Sequence, residues 1–393
     1  MKKFAITALA CAIALPASAA GVTISGYIDV GYWAAENPKN SITASPRLQA
    51  ATATNGSWNG NDQFALNEVN LDISSQLTND ISAFASVDFV TGGAGAIDYA
   101  YLDIANPGPF DLNVRAGRIP SVIGIEQRVS EANQSKFVNL SLLSPITVGS
   151  QDGVAIYGSF SPVNYAVAVT NNDNFGGAQV MGALPNVAGY TPAALRPGNN
   201  NGAVGTVADN NNDKAISGRI GVVPIEGLEL GVSASRSVYA GVAAAGAVVD
   251  KKNPTRNIVA ADASYAWGAF SIKGEYAAVK EQPQNLIGVA AFADLNVRGY
   301  SIEGWYDWTS KFGLGVRYGR MEVEQNGPVV TATTTGSAYD YSTLSVAAAY
   351  KLADNVSARA EYDVNEESVL NYQGTAGREA DNDAISFSLV GSF

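Results

Sequence analysis

From Val22 to Gly31 the chain alternates without a break: Val22, Ile24, Gly26, Ile28 and Val30 share one face, and Thr23, Ser25, Tyr27, Asp29 and Gly31 the other. A period of two with charge confined to one side predicts a β-strand lying between apolar and wet surroundings. The pattern recurs along most of the chain. Val69, Leu71 and Ile73 alternate with Glu68, Asn70, Asp72 and Ser74, and beyond the turn at 76–80, Ile81, Ala83, Ala85, Val87 and Phe89 alternate with Ser82, Ser86 and Asp88. Ala100, Leu102 and Ile104 oppose Tyr99, Tyr101 and Asp103; Leu112, Val114 and Ala116 oppose Asn113, Arg115 and Gly117. Similar apolar sets continue through Val154, Ile156 and Phe160 to Ile385, Phe387, Leu389 and Phe393.

The alternation predicts about sixteen strands, an even number, as closed bacterial membrane barrels have. Connections after odd strands are mostly long, at 34–62, 119–150, 171–213, 241–253, 282–296, 325–338 and 368–382. Those after even strands are short, as at 224–227, 267–268, 309–310 and 352–355. A soluble sandwich has no reason to sort its loops in this way, whereas a barrel with external loops and periplasmic turns does. Tyr265, Trp267, Tyr306, Trp308 and Tyr350 fall beside short turns on the apolar face, where an aromatic girdle would stand at a bilayer boundary. The predicted fold is therefore all-β: a transmembrane antiparallel up-and-down β-barrel.

One stretch breaks the rule. Residues 119–150, the third long connection, show no sustained alternation, and are expected to fold into the lumen as a constriction loop. Its charges are Glu126, Arg128, Glu131 and Lys136. A short helix capped by Ser130 and running from Glu131 to Leu143 is a local option, although its amphipathic signal is poor. Wall arginines opposed to the loop acids would set a field across the narrowest point.

Charge and composition narrow the chemistry. Lys2 and Lys3, the apolar run from Phe4 to Leu15 and the small residues Ala17, Ser18 and Ala19 predict a cleaved secretion signal over 1–19, leaving a barrel of 20–393. With it would go Cys11, the sole cysteine of a chain that has no histidine. Thiolate chemistry, a Ser-His triad and a His/Cys metal site are excluded, which argues against a barrel enzyme. The loss of two lysines takes 24 basic residues to 22 against 36 acidic, a net charge of −14. Such a balance argues against nucleic acid as a partner. Asp209, Asn211 and Asp213 begin like a calcium loop, but Lys214 replaces the glycine and Ile220 the bidentate glutamate, so no metal or cofactor is expected.

Several segments carry a resemblance: Phe64-Ala65-Leu66-Asn67-Glu68-Val69-Asn70-Leu71-Asp72, then Val114-Arg115-Ala116-Gly117-Arg118-Ile119-Pro120-Ser121-Val122-Ile123-Gly124-Ile125-Glu126, then Asp152-Gly153-Val154 and Val169-Thr170-Asn171-Asn172-Asp173-Asn174. In order and spacing they resemble the OmpL-like outer-membrane β-barrel porins, relatives of the phosphate-selective porins. The resemblance implies a diffusion channel in the outer membrane, often a homotrimer, with its third long loop bent into the pore. The last strand, ending in Phe393, resembles the C-terminal strand that the barrel-assembly machinery reads.

Alternation puts Asp88, Asp103, Arg115, Arg219, Glu303, Arg317, Arg359 and Glu361 on the wet face. With Arg118 and the four loop charges they are the candidate pore-lining residues. Inward acids outnumber inward bases, which predicts a weak cation preference among the small hydrophilic solutes and ions that pass. The alternative is a structural or adhesive barrel with a closed lumen.

Overall fold

The computed structural model describes residues 21–35, 63–89, 95–106, 111–171, 213–238, 255–282, 294–328, 335–370, 378–381 and 383–393. The predicted secretion signal, most of the long connections, and Asp209 and Asn211 lie outside these residues.

Among the described residues there are seventeen strand segments in one sheet. In chain order they are β1 (Val22–Ala35), β2 (Gln63–Gln76), β3 (Ile81–Phe89), β4 (Ala96–Ile104), β5 (Asn113–Pro120), β6 (Ser150–Phe160), β7 (Val163–Thr170), β8 (Ala215–Ile225) and β9 (Leu228–Val238). They continue as β10 (Thr255–Trp267), β11 (Phe270–Gln282), β12 (Asp294–Asp307), β13 (Phe312–Pro328), β14 (Thr335–Ala353), β15 (Val356–Leu370), β16 (Arg378–Asp381) and β17 (Ala384–Ser392). Each pairs antiparallel with its neighbour, and β1 pairs with both β2 and β17, so the sheet closes on itself. The short β16 and the longer β17 both pair with β15 and form one interrupted wall strand. Seventeen segments thus make sixteen wall strands, the number the alternation predicts. Closure leaves no free edge, and the ladder groups find partners between strands except where the register shifts.

The two faces differ as the pattern requires. Val22, Ile28, Ile156, Val167, Ile220, Val232, Ile302 and Val346 stand exposed on the outside, with Trp267, Tyr306, Trp308 and Tyr350 beside the short turns. Inside lie the buried Asp29, Arg219, Asp262, Glu275, Arg317, Arg359 and Glu361. Among the described residues no helix is long and apolar enough to cross a bilayer.

Two bulges alter the reading of faces. Asp29 pairs with Glu68 but Val30 with Leu66, so Asn67 is an extra residue and the outward positions of β2 change from odd to even. Phe64 and Leu66 therefore join the exposed apolar face beyond the bulge. Likewise Ser86 pairs with Tyr99 and Val87 with Ile97, which leaves Asp98 unmatched.

The wall is uneven. Strands β3, β4 and β5 have nine, nine and eight residues, whereas β13 and β14 have seventeen and nineteen. Their turn ends are in register, so the added length lies at the loop end. There, past the paired rings of Tyr300 and Tyr318, Arg298 meets Glu322 at 2.5 Å and Arg320 meets Asp340 at 2.5 Å.

The predicted constriction segment is slightly shorter than 119–150: Ile119 and Pro120 complete β5, Ser150 opens β6, and the irregular stretch is 121–149. The expected helix from Glu131 to Leu143 is not there. Instead a single 3-10 turn spans Glu126–Val129 and a one-turn helix α1 spans Ser144–Thr147, with Pro145 in its first turn. Pro fits that position because its missing N–H is unpaired there in any case. The intervening stretch spends its polar groups on distant side chains, which removes the need for helical bonds.

Candidate functional site

The segment 121–149 is tied to inward side chains of strands far from its own in sequence. Glu361 on β15 accepts the N–H of Asn139 at 2.8 Å, and Arg317 on β13 donates to the Asn139 carbonyl at 2.9 Å. Arg317 and Glu361 meet each other at 2.8 Å, and Asn139 Nδ2 donates to Asp363 at 2.8 Å. Arg359 gathers three carbonyls with one nitrogen, those of Ala132, Ser135 and Phe137, at 2.9, 3.0 and 3.0 Å. On the other side Gly124 N–H reaches Ser233 at 3.1 Å and Ile125 N–H reaches Glu275 at 3.0 Å. Tyr27 on β1 donates to Glu131 at 2.7 Å. An irregular backbone needs such partners, because an unpaired buried N–H or C=O costs about 1–3 kcal/mol.

Glu126 closes the segment on itself. Its carboxylate accepts Ser141 N–H at 2.7 Å and the Ser141 hydroxyl at 2.6 Å, joining the outgoing and returning limbs. Gln127 adds a second link, accepting Gly149 N–H at 2.6 Å while donating to Tyr99 at 2.8 Å.

Apolar packing supplies the rest. Ile123, Leu143 and Ile146 of the segment form one buried cluster with Ile258, Ala260, Ala277, Val279, Leu295, Val297, Met321, Val323 and Tyr341 of the wall. At roughly 2 kcal/mol for each fully buried aliphatic side chain, the three segment residues stabilise this contact as strongly as the hydrogen bonds do. Phe137 meets Trp305 edge to ring at 5.6 Å, and the Arg317 guanidinium lies 4.5 Å above the Phe137 ring.

The remaining candidates sort into paired groups. Arg115 meets Asp103 at 2.7 Å and lies over the rings of Tyr101 and Tyr157 at 4.2 and 4.9 Å. Arg128 meets Glu229 at 2.9 Å, and Glu229 also meets Arg219 at 3.0 Å, which in turn grips Asp262. Lys136 meets Asp307 at 3.3 Å and sits 5.4 Å from the Trp305 ring. Glu303 meets Lys273 at 3.2 Å. Asp88 accepts from Asn70 at 2.7 Å and lies within electrostatic reach of Asp98 and Glu131.

Two expectations need correction. Arg118 does not face inward: its partner across the ladder is Asp152, which it meets at 2.8 Å, and it also donates to the carbonyl of the exposed Ile97 at 3.1 Å. Both sit on the outward parity of Val154, while the neighbouring pair Ile119 and Gln151 is buried inside. Nor do Arg317, Arg359 and Glu361 present themselves to water; at 6, 4 and 1 % exposure they lie under the segment and hold its backbone. The loop acids also hold the segment: Glu126 is bonded to Ser141 and lies within electrostatic reach of Arg317, and Glu131 accepts from Tyr27.

Asn139, Ser141, Ser233 and Gln127 carry much of the anchoring, and nothing in strand alternation points to them. The apolar part did leave a signal. Ile258, Val259, Ala260 and Ala261 are consecutive, as are Ala277, Ala278 and Val279, so alternation fails locally and both faces of the strand are apolar there. In a barrel an inward apolar patch requires an inner cover.

With this geometry established, the chain can be compared with known proteins. Its sequence matches the family profile described as Gram-negative porin over residues 5–369. No curated relative matches it in sequence. Among solved structures, the outer membrane channel DcaP of Acinetobacter baumannii superposes with a TM-score of 0.62 at 12% identity, covering 95% of this chain and 97% of that one. OmpT, an outer membrane protein of Vibrio cholerae folded in vitro and in a trimer form, gives 0.59 at 12% identity, covering 96% and 100%. An anion-selective porin from Comamonas acidovorans gives 0.57 at 10% identity, covering 95% and 100%. At these identities the likeness is one of fold.

Proposed function

The chain belongs to the Gram-negative porin family, and from that premise we propose that it is a passive diffusion channel for small hydrophilic solutes and ions, with a weak cation preference. The observation that carries the proposal is the division of faces: apolar side chains ring the outside of a closed barrel whose inner face bears buried and half-buried charge. An apolar exterior suits a bilayer, and a charged interior is solvated only if water enters. In this reading 121–149 is the constriction, lying inside the lumen on the inner surfaces of β9 to β17.

The cation preference is supported by the acid grouping of Asp88, Asp98 and Glu131, and by the pairing of the inward arginines with carboxylates. A homotrimer is supported by the low wall at β3 to β5 and by the outward Arg118–Asp152 pair, which a neighbouring copy would shield from lipid. The secretion signal at 1–19 and reading of Phe393 by the barrel-assembly machinery complete the proposal, together with kinship to the OmpL-like porins. The chemistry of the mature chain supports a channel and not an enzyme.

Recording single channels of refolded protein in planar bilayers tests this directly. Stepwise conductance with a reversal potential on the cation side is expected. A folded barrel that conducts nothing would favour the closed structural barrel instead, and an anion-side potential would refute the selectivity alone.

A further inference from the structure

A cavity of about 370 Å³ lies between the buried segment and the inner face of β5 to β8. Its charged lining consists of Arg115, Arg128 and Arg219. The carboxylates that neutralise them, Asp103, Glu229 and Asp262, are not among its lining residues. Each ion pair is therefore a dipole with its positive end toward the cavity. Such an arrangement attracts an anion without the cost of three unpaired buried cations.

The three guanidinium groups are not equally committed. Arg219 gives Nε and Nη2 to Asp262, and Nη1 to Glu229 and Asn164, so four of its five N–H groups are committed. Arg128 meets Glu229 through Nη1 alone, at 2.9 and 3.0 Å. Arg115 meets Asp103 and Tyr157 through Nη2. Among the described residues, the buried Nε and the Nη1 of Arg115 and the Nε and Nη2 edge of Arg128 have no acceptor. That edge is a planar two-donor fork, the shape that fits a carboxylate. Arg115 is fixed by the rings of Tyr101 and Tyr157, so its free nitrogens are held in place before a ligand arrives.

The rest of the lining is mixed: Val122 and Ala166 offer apolar surface, and Ser121, Gln127 and Asn164 offer uncharged polar groups. An inorganic anion would use only the charged and polar part of this surface, whereas an organic anion would also cover its apolar part with an aliphatic or aryl body. We propose that this cavity is a binding site for small organic monocarboxylates, the carboxylate on Arg128 and Arg115 and the apolar body against the half-buried Val122 and Ala166. Such a site gives the channel a local preference for one solute class that is independent of its overall ionic bias. Its role in permeation rests on the channel reading; binding does not.

Calorimetric titration of the full folded chain in detergent with sodium hexanoate, and separately with inorganic phosphate, tests the assignment. Saturable hexanoate binding is expected, with no comparable phosphate binding. Arg115→Gln and Arg128→Gln should each weaken it about tenfold or more, the loss of one charge-assisted hydrogen bond. Arg128 is half exposed, so R128Q decides the matter even if R115Q does not fold. Absence of saturable hexanoate binding, equal affinity for phosphate, or unchanged affinity in the folded variants would overturn the proposal. A protein that binds hexanoate but conducts no ions would sink the channel reading and leave this site standing; one that conducts but does not bind would do the reverse.

Discussion

Glu361 accepts the backbone N–H of Asn139 at 2.8 Å across 222 positions of sequence, and the same carboxylate holds Arg317, which donates to the Asn139 carbonyl. One wall pair thus grips both backbone groups of a single residue at the middle of an irregular segment. Glu361→Ala removes one grip and leaves Arg317 without its carboxylate. A loss of about 3–5 kcal/mol is expected. Single-channel recordings should show higher and noisier conductance; an unaltered trace would show that the segment does not restrict the passage.

Leu143 is fully buried between the segment and the wall, and its loss leaves a cavity with no change of charge. Leu143→Ala should cost about 2–5 kcal/mol by denaturant unfolding. The reversal potential should stay where it is in wild type. A shift in selectivity without loss of stability would mean the residue acts on ions and not on packing.

Asp88 and Asp98 come together because a bulge at Asp98 alters the register of β3 and β4. Asp88→Asn combined with Asp98→Asn removes two neighbouring carboxyl groups while keeping their size, and the comparison is made in alkaline buffer, where both are ionised. The reversal potential should move toward zero, measurably so at low salt, where screening is weakest. An unchanged potential at low salt would place the selective charges elsewhere.

Arg118 offers a contrast, since it stands on the outside with Asp152. Arg118→Gln should leave unit conductance and reversal potential unaltered. It strands a carboxylate on the apolar face, and stability should fall on the order of 1 kcal/mol. Altered selectivity in this variant would contradict its outward placement.

How much of this could be read in advance differs sharply between wall and segment. The wall was legible because a strand's two faces impose a period of two on neighbouring residues, so Val154, Ile156 and Phe160 announce their side locally. The bulges at Asn67 and Asp98 interrupt that logic by a single residue, and a single extra residue leaves no signature of its own. Arg118 belongs to the outward series of Val114 and Ala116, a parity that its place beside the irregular segment obscures. Within 121–149 the deciding contacts are Asn139 with Glu361, Gly124 with Ser233 and Ile125 with Glu275, and each joins residues more than a hundred positions apart. Charge type identified Glu126 and Arg359 as important. It could not say that they bind backbone and not solute.

The unequal strands also make the outer opening oblique. Between β3 and β14 the strands gain from nine to nineteen residues, which at about 3.3 Å per residue and a tilt near 45° is roughly 25 Å of extra height. On that side the barrel rises as a screen past its tyrosine pair, with Arg298, Glu322, Arg320 and Asp340 on its outer surface in water. On the side of β3 to β5 the described strands are short. If solutes enter from the loop end, the described strands meet them unevenly, tall and charged on one side and short on the other, so wall height acts on their approach before the charge of the lumen does.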